Sequence, residues 1–119
     1  MRPIRRLSAL ITADQSGHVC SSGFAVLHLK KGVLEPEVLF TFLRLQIICE
    51  ILDLHATASM YPAISTARLM AIPIAIPNRD IRAQIVKKVR AALTARTEVT
   101  QLLNYAKAEI DRQVLDAEE

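Results

Sequence analysis

YPAISTARLMAIPIAIP, residues 61–77, is the stretch whose reading decides the fold. Pro62 stands near its start, and Ser65-Thr66 occupies a position from which either hydroxyl can cap a short turn through Arg68, Leu69 and Met70. Ile72–Ile76 then reads as an apolar strand, ended by Pro77. Pro73 removes one ladder donor, so such a strand belongs at an edge or at a bulge. Immediately afterwards the period changes from two to about three and a half. A helix is expected from about Asn78 or Asp80 to about Ala117, roughly 55 Å long at 1.5 Å per residue.

That helix carries a seam. Its seam positions step by four and three residues through Ile85, Val89, Ala92, Arg96, Val99, Leu103, Ala106, Ile110 and Gln113, flanked by Ile81, Val86, Leu93, Leu102 and Val114. This is the spacing a coiled-coil partner requires, and Arg96 in the seam would fix register at a cost in stability. Charge divides the same helix. Arg79–Arg96 holds six basic residues against Asp80, whereas Glu98–Glu119 holds six acidic residues against Lys107 and Arg112. A parallel pair would set like halves side by side, and an antiparallel pair sets each basic half against an acidic one. An antiparallel homodimer through about Asp80–Leu115 is therefore expected.

Upstream, Leu7–Thr12 and Gly23–Leu29 read as strands, the second ending in a Lys30-Lys31-Gly32 turn. The stretch 34–55, LEPEVLFTFLRLQIICEILDLH, reads as one helix with Pro36 in its first turn and Glu35 and Glu37 at its positive end. Apolar residues surround most of its circumference, so burial on several sides is expected, with Phe42 and Leu45 under a sheet. The fold class expected is thus α+β: a small mixed sheet with packed helices over residues 1–77, then one long coiled-coil-forming helix over 78–119.

With 119 residues the chain suits one modest domain. It has no apolar run of membrane-spanning length, and its basic start is followed by neither a long enough apolar run nor a cleavage-like site, so a cytoplasmic protein is expected. Cys20 and Cys49 are too few for a disulfide framework and read as buried, reduced thiols. His18 with Cys20 and Cys49 with His55 lack a second pair at zinc spacing. The sequence has no glycine-rich phosphate loop, nucleophile elbow or framed acid–base pair. Neither a cofactor nor catalysis is expected. The net charge of +3 does not by itself indicate nucleic acid.

Taken together, the order of GFAVLHLK, LEPEVLFTFLRL, YPAIS, MAIPIAIP and RDIRAQIVKKV over roughly Val19–Leu115 resembles the DNA-specificity subunit of type I restriction-modification systems. The match is to the second half of a target recognition domain and one spacer helix. The resemblance implies a non-catalytic module that contacts double-stranded DNA and docks the methyltransferase subunit, and through it the restriction subunit. It also implies that Pro73 and Pro77 stiffen the junction between reading head and spacer. In that family two such helices pack antiparallel within one subunit. The chain departs from the family pattern in having Ala58-Ser59-Met60 where glycine is common. It is also expected to hold only part of a reading head. Two other readings stay open: a coiled-coil assembly protein that binds no DNA, and the recognition tail of a fused methyltransferase-nuclease.

Candidate DNA-contacting residues are Lys30 and Lys31 at their turn, and Ser59, Tyr61, Ser65, Thr66 and Arg68 around the loop. Lysines at a turn suit phosphate, amides at a short helix start suit an anion, and Arg68 reads guanine only if it reaches a major-groove edge. The plainer readings are a solvated lysine turn, a simple helix cap and a half-buried tyrosine.

Overall fold

The computed structural model describes residues 7–56 and 63–116, and among these it is helical, with no strand. A 3-10 turn at Ala13–Gln15 is followed by α1 (Pro36–Leu43), α2 (Gln46–Leu54), α3 (Thr66–Met70) and α4 (Arg79–Asp116). The chain divides into two units, Met1–Val86 and Lys87–Glu119, so the first turns of α4 belong to the first unit.

The expected mixed sheet is not formed. Leu7–Thr12, Gly23–Leu29 and Ile72–Ile76 are irregular segments. Among the described residues no backbone hydrogen bond links any of them to another. The physical reason is one of partners. An alternating apolar segment becomes a strand only when a neighbour takes its N–H and C=O groups, and stable sheets need about three strands. Pro73 and Pro77 donate nothing to a ladder. The side chains here pack on helices instead: Ala25 and Ile72 lie against Phe42, Ile48, Leu52, Ile64 and Leu69, and Leu29 lies against Leu34, Val38 and Leu39.

The single helix expected over 34–55 is two helices. Pro36 takes the first position of α1, where its missing N–H costs nothing. The Thr41 hydroxyl donates to the Glu37 carbonyl at 2.9 Å, a back-bond that bends helices. The last turn then tightens, with Arg44 N–H donating to Thr41 O and Leu45 N–H to Phe42 O, both at 3.1 Å. Leu45 is extended (φ −60°, ψ 136°) and starts α2, whose Cys49 thiol donates to the stranded Leu43 carbonyl at 3.7 Å. The break separates two small clusters, one around Val38 and Leu39 and the other around Phe42, Ile48 and Leu52. Phe42 is 9% exposed, as the sequence suggests, although no sheet covers it. Leu45 is 46% exposed, and Ile47 and Leu54 are also open, so this segment buries one face rather than several sides. Cys49 is buried, but Cys20 is exposed, against expectation.

α4 is a 38-residue helix, roughly 57 Å at 1.5 Å per residue. Between Arg79 and Asp116 there is no glycine or proline, and Ala, Arg, Lys, Leu and Gln dominate. Asn78 opens it in the manner of an N-cap: its side-chain oxygen accepts from Ile81 N–H at 3.0 Å, and its carbonyl accepts from Arg82 N–H at 3.0 Å. Within the first unit, Ile85 and Val86 pack on the Leu34–Val38–Leu39 cluster. Arg82 donates to the Val33 carbonyl at 3.2 Å and lies 3.6 Å from the Glu35 carboxylate. No helix among the described residues is long and apolar enough to cross a membrane.

Candidate nucleic-acid and partner interfaces

Lys30 and Lys31 lie in a reverse turn closed by Val33 N–H to Lys30 O at 3.4 Å. Gly32, the third residue of that turn, has φ +78°, which a β-carbon would disfavour. The turn therefore holds two exposed lysines side by side because glycine follows them. Among the described residues no hydrogen bond or ion pair ties either ammonium to another side chain.

The second group sits on α3. Ser65 is its N-cap, and the Ser65 hydroxyl accepts from Arg68 N–H at 3.3 Å. The cap thus uses one of the amides that an anion would have engaged. Thr66 is exposed at the first helical position. The Arg68 guanidinium donates one N–H to the His55 carbonyl at 3.1 Å, closing the C-terminus of α2 while its remaining donors stay free for another acceptor. Arg68 and His55 line an open cleft of about 370 Å³ floored by Ile51, Ala71, Ile72 and Pro73. This makes His55 a site-lining residue, although the sequence drew attention to it only as a zinc candidate with Cys49. Its only signal for the cleft is its place at the end of α2, thirteen residues from Arg68.

A smaller apolar groove of about 120 Å³ joins the two groups. Leu27, His28 and Leu29, just before the lysine turn, line it together with Leu69 and Met70 at the end of α3. The structure therefore brings the segment leading into Lys30 beside α3. Ser59 and Tyr61 lie outside the described residues. Away from these cations, the Asp14 carboxyl is held below its ordinary range, chiefly by the Thr12 hydroxyl that donates to it.

The seam residues divide. Ile85 and Val89 are half-buried, whereas Ala92, Arg96, Val99, Leu103, Ala106 and Ile110 are exposed. Val99, Leu103 and Ile110 expose 55%, 56% and 62% of their surface, and Leu102, Val114 and Leu115 are similarly open. Single exposed apolar residues are ordinary, but a row at helical spacing is the kind of surface that marks an interaction site. No protein-family model matches the chain, and no curated protein or solved structure matches it.

Proposed function

We propose that the chain is a non-catalytic DNA-specificity module of the type I restriction-modification kind, whose first unit touches duplex DNA and whose long helix docks a methyltransferase subunit. The observation that carries this reading is α4: a 38-residue helix without a buried residue, bearing an apolar row, and entered through the proline-bounded segment 72–77 and the Asn78 cap. A helix built this way acts as a spacer and a docking surface. Exposed cations in the first unit supply the second half of the reading. Lys30 and Lys31 are assigned to phosphate, and Ser65, Thr66 and Arg68 to the backbone or to a base edge beside α3.

The test is binding of the full chain to duplex DNA at two salt concentrations. Counterion release makes phosphate contacts weaken steeply with salt. Lys30→Ala with Lys31→Ala is expected to lower affinity equally for unrelated sequences and to flatten the salt slope by about two phosphate contacts. Loss confined to one sequence overturns the phosphate assignment. Salt-insensitive or absent binding sinks the DNA reading and leaves the competing one, an assembly protein working through α4 alone. That second reading is favoured by the same open seam and by the lack of a sheet among the described residues.

A further inference from the structure

We propose that the cleft between the ends of α2 and α3 binds a small organic carboxylate with an apolar body, its charged head on Arg68 beside His55 and its body on the floor of the cleft. The cleft lies in the first unit. Its occupancy does not depend on the DNA reading, with which it shares only Arg68.

The floor is built on the core. Ile51 and His55 stand four residues apart at the end of α2 and share one face, as Arg68 and Ala71 do three residues apart at the end of α3. Ile51 and Ile72 pack on the cluster of Phe42, Ile48, Leu52, Ile64 and Leu69, which holds the floor in place, and Pro73 completes it. The volume of about 370 Å³ is near the lower end of the range for small-molecule sites.

The charge around the cleft is of one sign. Among the described residues no carboxylate lines it. Asp53 stands between Ile51 and His55 in sequence, so the helical period turns it to the other side of α2. Glu50 is engaged by the Gln46 side chain at 3.0 Å. Arg68 is already positioned: its Nη1 donates to the His55 carbonyl at 3.1 Å. No other side-chain hydrogen bond or ion pair of Arg68 occurs among the described residues. The edge formed by Nε and Nη2 is therefore whole, and that edge takes both oxygens of a carboxylate.

Head and floor together select the ligand. A bare inorganic anion satisfies the guanidinium and leaves Ile51, Ile72 and Pro73 wet. A carboxylate with a branched apolar body covers them as well, and the water it displaces makes the pairing with Arg68 stronger. A free branched acid and the last residue of a peptide with a branched side chain share this chemistry.

The experiment uses the full chain labelled with 15N and titrated with 4-methylpentanoate. Saturable NMR shifts are expected at the amides of Ile51, His55, Arg68, Ala71 and Ile72, with a dissociation constant of about 1 mM or tighter. Acetate is expected to bind about tenfold more weakly, because one fully buried methylene contributes roughly fourfold and the cleft is open. The neutral 4-methylpentanamide is also expected to lose about tenfold, through the charge-assisted bonds. Ala71→Glu places a carboxylate at an exposed position on the rim and should lower affinity about tenfold, with circular dichroism unchanged. Arg68→Ala should do the same; it also releases the His55 carbonyl, so Ala71→Glu decides if that variant unfolds. Acetyl-Gly-Leu with a free terminus separates the two sources. Tighter binding than 4-methylpentanoate assigns the cleft to a peptide terminus, and equal or weaker binding assigns it to a free acid. No saturable shift up to about 20 mM overturns the proposal. So does indifference to Ala71→Glu, or acetate or inorganic phosphate binding as tightly as 4-methylpentanoate. That last result leaves Arg68 as a bare cation, available to a DNA phosphate, so the cleft can fail while the DNA reading survives.

Discussion

α2 and α4 have similar periodic apolar rows and opposite fates. α2 has nine residues, and three of them, Ile48, Cys49 and Leu52, are buried against Phe42, Ile64 and Leu69 or close by. α4 has 38 residues and buries none. So short a helix as α2 is unstable alone, and it exists because its face is covered within the chain. α4 is long enough, and rich enough in helix-forming residues, to propagate on local hydrogen bonds with its row left open. The difference shows that an apolar period alone does not tell what covers it. In α2 the cover lies in the same chain; in α4 it does so only for Ile85 and Val86, and the row beyond them is open among the described residues.

The sharpest way to break this comparison is to remove an anchor of the covered helix. Phe42→Ala takes a ring from the cluster that receives α2 and leaves a cavity among Ile48, Leu52, Ile64 and Leu69. The expected loss is about 3 kcal/mol, a large part of the stability of a small domain. Chemical denaturation followed through tyrosine fluorescence and circular dichroism measures it. A loss below about 1 kcal/mol would mean that α2 does not depend on this cluster.

Helix starts give the next effect. Ser65→Ala frees the Arg68 N–H that the hydroxyl now accepts, and Asn78→Ala frees that of Ile81. Each is expected to cost about 1 kcal/mol. The readouts differ. For Ser65→Ala the loss is cooperative with the first unit, whereas for Asn78→Ala amide exchange should rise first in the opening turn of α4. Similar protection loss along all of α4 would show that its helix depends on the cap rather than on its composition.

A cap at Ser65 or Thr66 was legible in the sequence because it is local, and Asn78 was legible as one of two starts of the long helix. Ser65 stands three residues before Arg68, and Asn78 three before Ile81, at the boundary where the period changes. α4 itself was legible for the same reason: its residues and their spacing act within a few turns. The lysine turn was legible from Gly32. What failed was non-local. Ile72–Ile76 has the alternation of a strand, but alternation cannot supply the neighbour that a ladder needs. The break at Arg44-Leu45 carries no glycine or proline; it follows from the Thr41 back-bond and from the two clusters on either side. Arg68 on the His55 carbonyl and Arg82 on the Val33 carbonyl join residues 13 and 49 apart, with no sequence signal linking them.

Arg82 tests where the covered part of α4 ends. Its guanidinium donates to Val33 O and lies against Glu35; the Arg82 side chain is 21% exposed, and its Nε and the facing Glu35 Oε2 are buried without a hydrogen bond. Arg82→Met keeps much of the aliphatic stem and removes the charge. The expected cost is about 1 kcal/mol, from the lost carbonyl bond and from the covered Glu35 oxygen left without its cation. Raising salt should shrink the difference only slightly. No measurable loss would mean that the Glu35 oxygen reaches water once the guanidinium is gone.

The smallest expected effect lies at Tyr105. It is 72% exposed and sits on α4 between the seam positions Leu103 and Ala106, turned away from both by the helical period. Tyr105→Ala removes a large apolar ring, yet the ring is not covered in the folded chain and gains little from folding. Alanine is the better helix former, which offsets part of any loss. The net change is expected within about 0.5 kcal/mol of zero, with helicity unchanged or slightly higher. Chemical denaturation of this variant, with circular dichroism for helicity, checks it. A clear loss of stability would show that Tyr105 is covered within the chain, against the open helix described here.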